Sequence, residues 1–506
     1  MKHLYILCTI LFGTAVLLFF GLTYPHHLHY QEQFQLFLFD STYVWDIVRH
    51  PGGIADLLGR FSTQFFLYAW VGALIIAVLL SAIQLLVLRL FYGQRSKVNG
   101  QRSMVNFDFV EIAHAQQTSS KLGLYSLNRD FQWLYGLSFV PSFLLWLFLL
   151  DENALMGGVW AVLLTLLAIW GLLQLPPKGR GFLLIAVIPV LYWMVGPDWN
   201  GSHYHRYPTI VPTLLYAAWL SAVLLPLFVR ILVARVQRSK VKGQKSKGKG
   251  GSKFFTFHSS LFTFLLVALI MGSLVWKNAN FKAEKVMQYD FMACHQQWNR
   301  ILETIQKEKP NNQIGVTVQN LALAMHGMLP EHMFEYNQNG IAGLLPDVQE
   351  DATSPMPTAE AFYQLGMINV AQRTVFEAQE AILDFQKSGR CYKRLAQTNL
   401  INGNYEVARK YLTALQKTLF YREWANETLP LLDNEEAIAR HPEYGRLRKW
   451  AYREDFYFSD HVTSEMLKSL YLGSTDNHMA YQYLLAYYML TEDREGFAEF
   501  QNLIMK

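Results

Sequence analysis

Apolar residues crowd into seven runs before residue 277: 4–23, 64–91, 131–150, 153–175, 182–196, 210–232 and 255–276. A bilayer core of about 30 Å is crossed by about 20 apolar residues in a helix. The pattern therefore predicts a seven-span transmembrane helical bundle. The fifth run is short and contains Pro189. Lys2 followed by an apolar stretch resembles a secretory leader, but "FFGLTYP" offers no small-x-small cleavage pattern, so the first run is read as a retained span. After Trp276 the long runs stop. Amphipathic helices in pairs, joined by short turns, replace them. The expected fold class is all-α, with a transmembrane domain over 1–276 and an extracytoplasmic helical-repeat domain over 277–506.

Charge gives the bundle a direction. The chain is 52% hydrophobic and 16% charged, against about 25% charged in soluble domains. Residues 1–276 hold 21 Lys+Arg and 10 Asp+Glu, a balance of +11; the remainder hold 23 and 29, a balance of −6, giving the net +5. With the N-terminus in the cytoplasm, 18 of the 21 basic residues fall on the inner side and only Arg49, Arg60 and Arg206 on the outer side. That is the positive-inside bias. It predicts an inner-membrane protein whose acidic C-terminal half lies in the periplasm. Two basic tracts, "GQRSKVNGQRSMVN" (93–106) and "VQRSKVKGQKSKGKGGSK" (236–253), lack the apolar surface to fold. Their charge is explained by anchoring to anionic lipid, so membrane lipid is an expected partner and nucleic acid is not.

The best helix pair of the C-terminal half is "CYKRLAQTNLINGNYEVARKYLTALQK" (391–417). Leu395 and Ala396 lie on one helix, Gly403 and Tyr405 at the turn, and Ala408, Tyr411 and Leu412 on the next. This resembles the tetratricopeptide repeat. Residues 296–336, 361–385 and 479–504 supply further pairs. The resemblance implies a concave surface that takes a protein or peptide partner.

The loop 24–63 separates the first two spans. Phe34, Phe37, Leu38, Trp45 and Val48 recur at helical spacing, and Pro51-Gly52-Gly53 ends the pattern. One expectation is a helix lying in the headgroup region. The other rests on its polar side chains. Asp46 and Arg49 are one helical turn apart, and carboxylates at a membrane surface serve as bases when burial raises their pKa. Asp40 and Asp46 are the candidate bases, with Glu32 a weaker one at the start of the loop. Arg49, His205 and Arg206 are candidate ligands for a phosphate. The histidines of "HHLH" (26–29) and of "PDWNGSHYHRYP" (197–208) show no fixed ligand spacing, so no metal site is expected. Of three cysteines, Cys294 and Cys391 either pair or stay as buried thiols. The signatures of P-loop, serine-hydrolase, zinc-protease and dinucleotide enzymes are absent. No cofactor is named by the sequence.

The stretch "RHPGGIADLLGRFSTQFF" with its helical tail resembles an uncharacterised family of Bacteroidota multi-pass membrane proteins. The layout is also similar to that of C-type glycosyltransferases. That second resemblance implies a polyprenyl-phosphate sugar as substrate, with Asp40 or Asp46 as base and Arg49, His205 or Arg206 on the phosphate. The first loop lacks their paired-carboxylate motif. A partner-binding protein on a membrane platform is the first functional expectation and such an enzyme the alternative.

Overall fold

The structure is a computed structural model and describes residues 2–92, 95–98, 101–104, 129–174, 210–242, 253–347, 354–382, 386–452 and 463–505. The chain divides into two compact units. One contains Met1–Leu28 and Thr42–Asn280; the other contains His29–Ser41 and Phe281–Lys506. The chain therefore passes between units three times.

Five described helical stretches of the first unit are long and apolar enough to cross a membrane: Leu4–Thr23, Ala69–Phe91, Met156–Gln174, Thr213–Leu232 and Ser260–Asn278. The third apolar run of the sequence is a shorter apolar helix, Leu134–Phe148. Its first part is wound as a 3-10 helix, Arg129–Phe139, before an α-helix over Val140–Phe148. The run 182–196 lies outside the described residues.

Hydrogen bonds and close contacts show which ends of these helices meet. At one end of the bundle, the Asn280 N–H donates to Tyr24 Oη at 3.1 Å, and His27 Nε2–H donates to the Leu149 carbonyl at 3.0 Å. At another point, Arg230 Nε donates to the Leu90 carbonyl at 2.6 Å. Leu90, near the end of the helix that closes at Tyr92, is thus a neighbour of Arg230, and the helices ending near Thr23 and Asn278 meet at those ends. Up-and-down alternation gives this arrangement.

Polar groups between the apolar helices of this unit meet neutral partners, whereas in Gly53–Thr63 Arg60 pairs with Asp56 at 2.8 Å. Thr9 Oγ1 donates to Gln84 Oε1 (3.0 Å), and Gln84 Nε2 donates to Ser138 Oγ (2.9 Å). Ser138 and Ser142 hydroxyls donate to the Tyr135 and Leu80 carbonyls. Between apolar helices, such bonds replace water that the bilayer does not supply. The helix Gly53–Thr63 packs against Met156–Gln174 through Gly59. A Cβ there would lie 2.3 Å from the backbone nitrogen of Gly157, so only glycine permits this approach.

The loop between the first two spans departs from the expected continuous amphipathic helix. One helix stops at Glu32, residues 35–40 have no helical structure, and a separate helix covers Ser41–Val48. The reason is local competition for backbone donors, described below. Gly52, at φ +81°, then turns the chain into Gly53–Thr63, a conformation glycine adopts without steric cost. The helix does not run straight into the second span. A 3-10 turn, Gln64–Leu67, and extended Tyr68 intervene before Ala69. In the tract 93–106, Arg95–Val98 and Gln101–Met104 form an antiparallel hairpin, with Val98 opposite Gln101. The intervening Asn99-Gly100 is the dipeptide most favoured for so short a connection.

The second unit is a series of helical hairpins. Pro355–Leu365 pairs with Ile368–Ala381, and Gly389–Ile401 with Tyr405–Gln416. Each first helix ends in a glycine at positive φ, Gly366 at +90° and Gly403 at +79°. The same closure recurs in the backbone bonds. Gly366 N–H reaches the Tyr363 carbonyl and Met367 N–H the Phe362 carbonyl; Gly403 and Asn404 bond to Leu400 and Asn399 likewise. Gly327 and Met328 repeat it with Ala324 and Leu323. This is the left-handed C-cap that satisfies the last helical carbonyls. Next helices open on side-chain caps, among them Asn312, Ser388, Asn477 and Asp493. Phe362, Leu400, Leu412, Leu447, Leu467 and Leu484 are among the residues filling one shared core.

Candidate functional site

The helical unit contains a dense cluster of buried ionisable side chains, built on the helix Gly389–Ile401. Spacing of three and four places Arg390, Lys393, Arg394 and Gln397 on one face of it. Arg390 grips Asp290 through both guanidinium nitrogens, at 2.5 and 2.7 Å. Arg394 pairs with Glu360, which is 2% exposed, and its guanidinium lies 3.7 Å from the centre of the Tyr363 ring. Tyr363 Oη donates to Glu443 at 2.8 Å. Gln364 donates to the second oxygen of Glu360 at 3.0 Å. Lys393 extends over the Trp424 ring at 5.1 Å, and burial pushes its pKa down.

Glu32 belongs to this cluster. It is 6% exposed, and both carboxylate oxygens lie 3.3 Å from Tyr421 Oη, which donates to them. Removal from water pushes its pKa up to about 7; the Tyr421 hydroxyl and the charge on Arg390 oppose this without cancelling it. Tyr421 is fixed from behind. Its ring rests on Gly389, where a Cβ would meet it at 2.5 Å, and its N–H donates to Thr418 Oγ1 at 3.1 Å.

Glu32 arrives on the segment His29–Ser41, which runs over the helical unit as a strap. His29 stacks on Phe291 with ring centres 4.2 Å apart. Tyr30 and Phe34 pack with Met287 and Ile382. The Leu36 N–H donates to the Lys387 carbonyl at 2.8 Å and the Phe39 N–H to the Lys417 carbonyl at 2.7 Å. The Asp40 carboxylate accepts from Lys417 Nζ at 2.6 Å. The Leu36 and Phe39 N–H groups are thus satisfied outside the strap, while those of Gln35 and Asp40 bond to the Glu32 and Leu38 carbonyls within it, and residues 35–40 are not helical. Gln379 braces the receiving loop from within: its amide donates to the Gln386 carbonyl, and its oxygen accepts from Ser388 N–H, both at 3.0 Å.

The sequence-predicted residues fare unequally. Asp40 is engaged by Lys417 and belongs to the helical unit. Asp46 and Arg49 pair with each other at 3.3 Å, are both exposed and belong to the membrane unit. His205 and Arg206 lie outside the described residues. Glu32, ranked below the two aspartates on sequence, is the carboxylate whose surroundings change its chemistry. The available signal was its place among Tyr30, Phe34, Leu36 and Phe37, all buried.

The histidines of 26–29 take separate roles. His27 is buried against Tyr24, its pKa pushed down to about 4 by desolvation, while His29 stacks as described. Among the described residues no three His, Cys, Asp or Glu side chains are grouped to hold a metal. Cys294 and Cys391 are free thiols. Burial pushes both pKa values up, that of Cys391 to about 11, so neither is a ready thiolate nucleophile. What the cluster offers is recognition and the holding of a proton.

No curated protein and no solved structure matches the chain. One family model does, over residues 2–199 and 197–506, and its description is a family of unknown function (DUF6057).

Proposed function

Because the chain belongs to this family of unknown function, DUF6057, its activity has to be read from its own residues, and we propose that it is a membrane-tethered receptor for extended protein segments. In this reading the apolar helices form a multi-pass anchor in the inner membrane with a cytoplasmic N-terminus. The helical unit, a tetratricopeptide-like array, stands in the periplasm and binds a protein or peptide partner. One observation carries the reading. The unit already holds a non-helical segment, its own strap, by main-chain bonds to the Lys387 and Lys417 carbonyls and by apolar packing of Tyr30 and Phe34 with Met287 and Ile382. Main-chain bonding with side-chain pockets is a general mode of peptide capture. The 18-to-3 distribution of basic residues supports the orientation.

The test is in-cell photo-crosslinking from Lys387 or Lys417 in the full chain. A discrete adduct with one protein, absent when the probe is placed at Leu503, is expected. Adducts with lipid alone would overturn the reading. Reporter fusions at Lys506 should report a non-cytoplasmic location, and a cytoplasmic signal would refute the orientation. Asp40→Asn and Asp46→Asn are expected to leave the phenotype of the intact gene unchanged. Its loss in both, at normal protein level, would instead support a C-type glycosyltransferase acting on a polyprenyl-phosphate sugar.

A further inference from the structure

The strap is held at three kinds of point: apolar packing at Tyr30 and Phe34, backbone bonds at Leu36 and Phe39, and polar side chains at Glu32 and Asp40. Glu32 differs from every other buried carboxylate in the cluster. Asp290 and Glu360 each have an arginine. For Glu32 the nearby arginine, Arg390, is already spent on both oxygens of Asp290. Its two oxygens share the Tyr421 hydroxyl as donor. A buried carboxylate without its own cation costs several kcal/mol, whereas the neutral acid costs far less.

We propose that the strap His29–Ser41 is a proton-operated latch: protonated Glu32 seats it on the helical unit, and ionised Glu32 loosens it. The regulatory meaning, that a loosened strap yields its track to a partner segment, rests on the receptor reading above. The groups facing Glu32 are Tyr421, Arg390 and Cys391, with Asp290 and Cys294 behind Arg390. The tyrosine and both thiols have pKa values raised by burial, and Arg390 and Asp290 neutralise each other. The strap also carries His29, stacked on Phe291, so the assignment of the transition to Glu32 rests on the Glu32→Gln variant below. The sign follows from linkage. The docked pKa of about 7 lies above the ordinary 4.5, so the contribution of Glu32 to docking is fully present below about 4.5 and is lost as pH rises through about 7.

The experiment is hydrogen exchange by mass spectrometry on the full chain in nanodiscs, corrected for intrinsic rates, between pH 5 and pH 8. Wild-type peptides covering 29–41 should exchange at least about tenfold faster at pH 8, while those covering 389–401 hold steady. Glu32→Gln, a permanently neutral mimic, should keep the strap protected at both values. Tyr421→Phe removes a donor that favours the charged form, so the release midpoint should move to higher pH; a merely structural role would loosen the strap equally at all pH. Wild-type protection independent of pH, an unchanged midpoint in Tyr421→Phe, or a Glu32→Gln strap that still loosens would overturn the latch. The latch is read here without a partner, and the receptor reading is tested by crosslinking, so either can fail alone.

Discussion

The two units bury polar side chains by opposite means. In the membrane unit, Thr9, Gln84 and Ser138 are neutral and pass single hydrogen bonds from one to the next, and Ser142 donates to the Leu80 carbonyl. In the helical unit, Asp290, Glu360, Arg390 and Arg394 are charged and paired. The contrast follows from what each unfolded segment would otherwise contact. A charge inside a bilayer has no water to return to and is kept out. A charge inside the helical unit is tolerated when an opposite charge meets it at close range, and then fixes which helices may be neighbours. Neutral bonds in the first unit therefore tune packing, while ion pairs in the second specify it.

The strongest way to break this comparison is Glu360→Ala. It strands Arg394 without a counter-charge and should cost the helical unit about 3–5 kcal/mol, seen as lost hydrogen-exchange protection over 389–401. A cost under 1 kcal/mol would mean that the ion pairs specify nothing. Next comes Gly59→Ala. Its methyl group would press on Gly157 backbone that cannot swing away, and overpacking of this kind costs about 1–3 kcal/mol, measurable as a lower melting temperature in detergent. Gly403→Leu should cost about 1–2 kcal/mol, because a branched residue is held at φ +79°. Crowding is not the cause, since nothing lies within 4 Å of the added Cβ; Gly403→Asn should therefore recover much of the loss. The smallest effect is Gln84→Leu, about 0.6 kcal/mol in a detergent refolding titration. If it matched Glu360→Ala, the two units would not differ as argued.

How far the sequence carried the structure depends on whether the cause was local. The apolar helices were legible because each satisfies its own backbone and needs only length and composition to be recognised. The hairpin turn at Gly403 was legible because glycine between two amphipathic runs is a local signal. Spacing at 34, 37, 38, 45 and 48 predicted one helix, and the chain is not helical over 35–40 in the middle of it. Nothing near residue 36 or 39 announces that carbonyls at Lys387 and Lys417 wait for their N–H groups. The same distance hid Glu32, whose altered acidity depends on Tyr421 and on Arg390 being already occupied. Asp40 and Asp46 stood out by residue type alone, yet one is bound to a lysine and the other faces water.

The strap also sets an order of events during synthesis. Asp40 is joined to Lys417, 377 residues later in the chain. At about 5–20 residues per second, Asp40 is made roughly 20–75 s before its partner. Throughout that interval Tyr30, Phe34 and Phe37 lack the surface that will cover them, while one membrane helix after another is being inserted. The earliest-made piece of the helical unit is thus among the last to find its place. A cell making this protein has to keep a short aromatic segment from aggregating until the ribosome has passed residue 417.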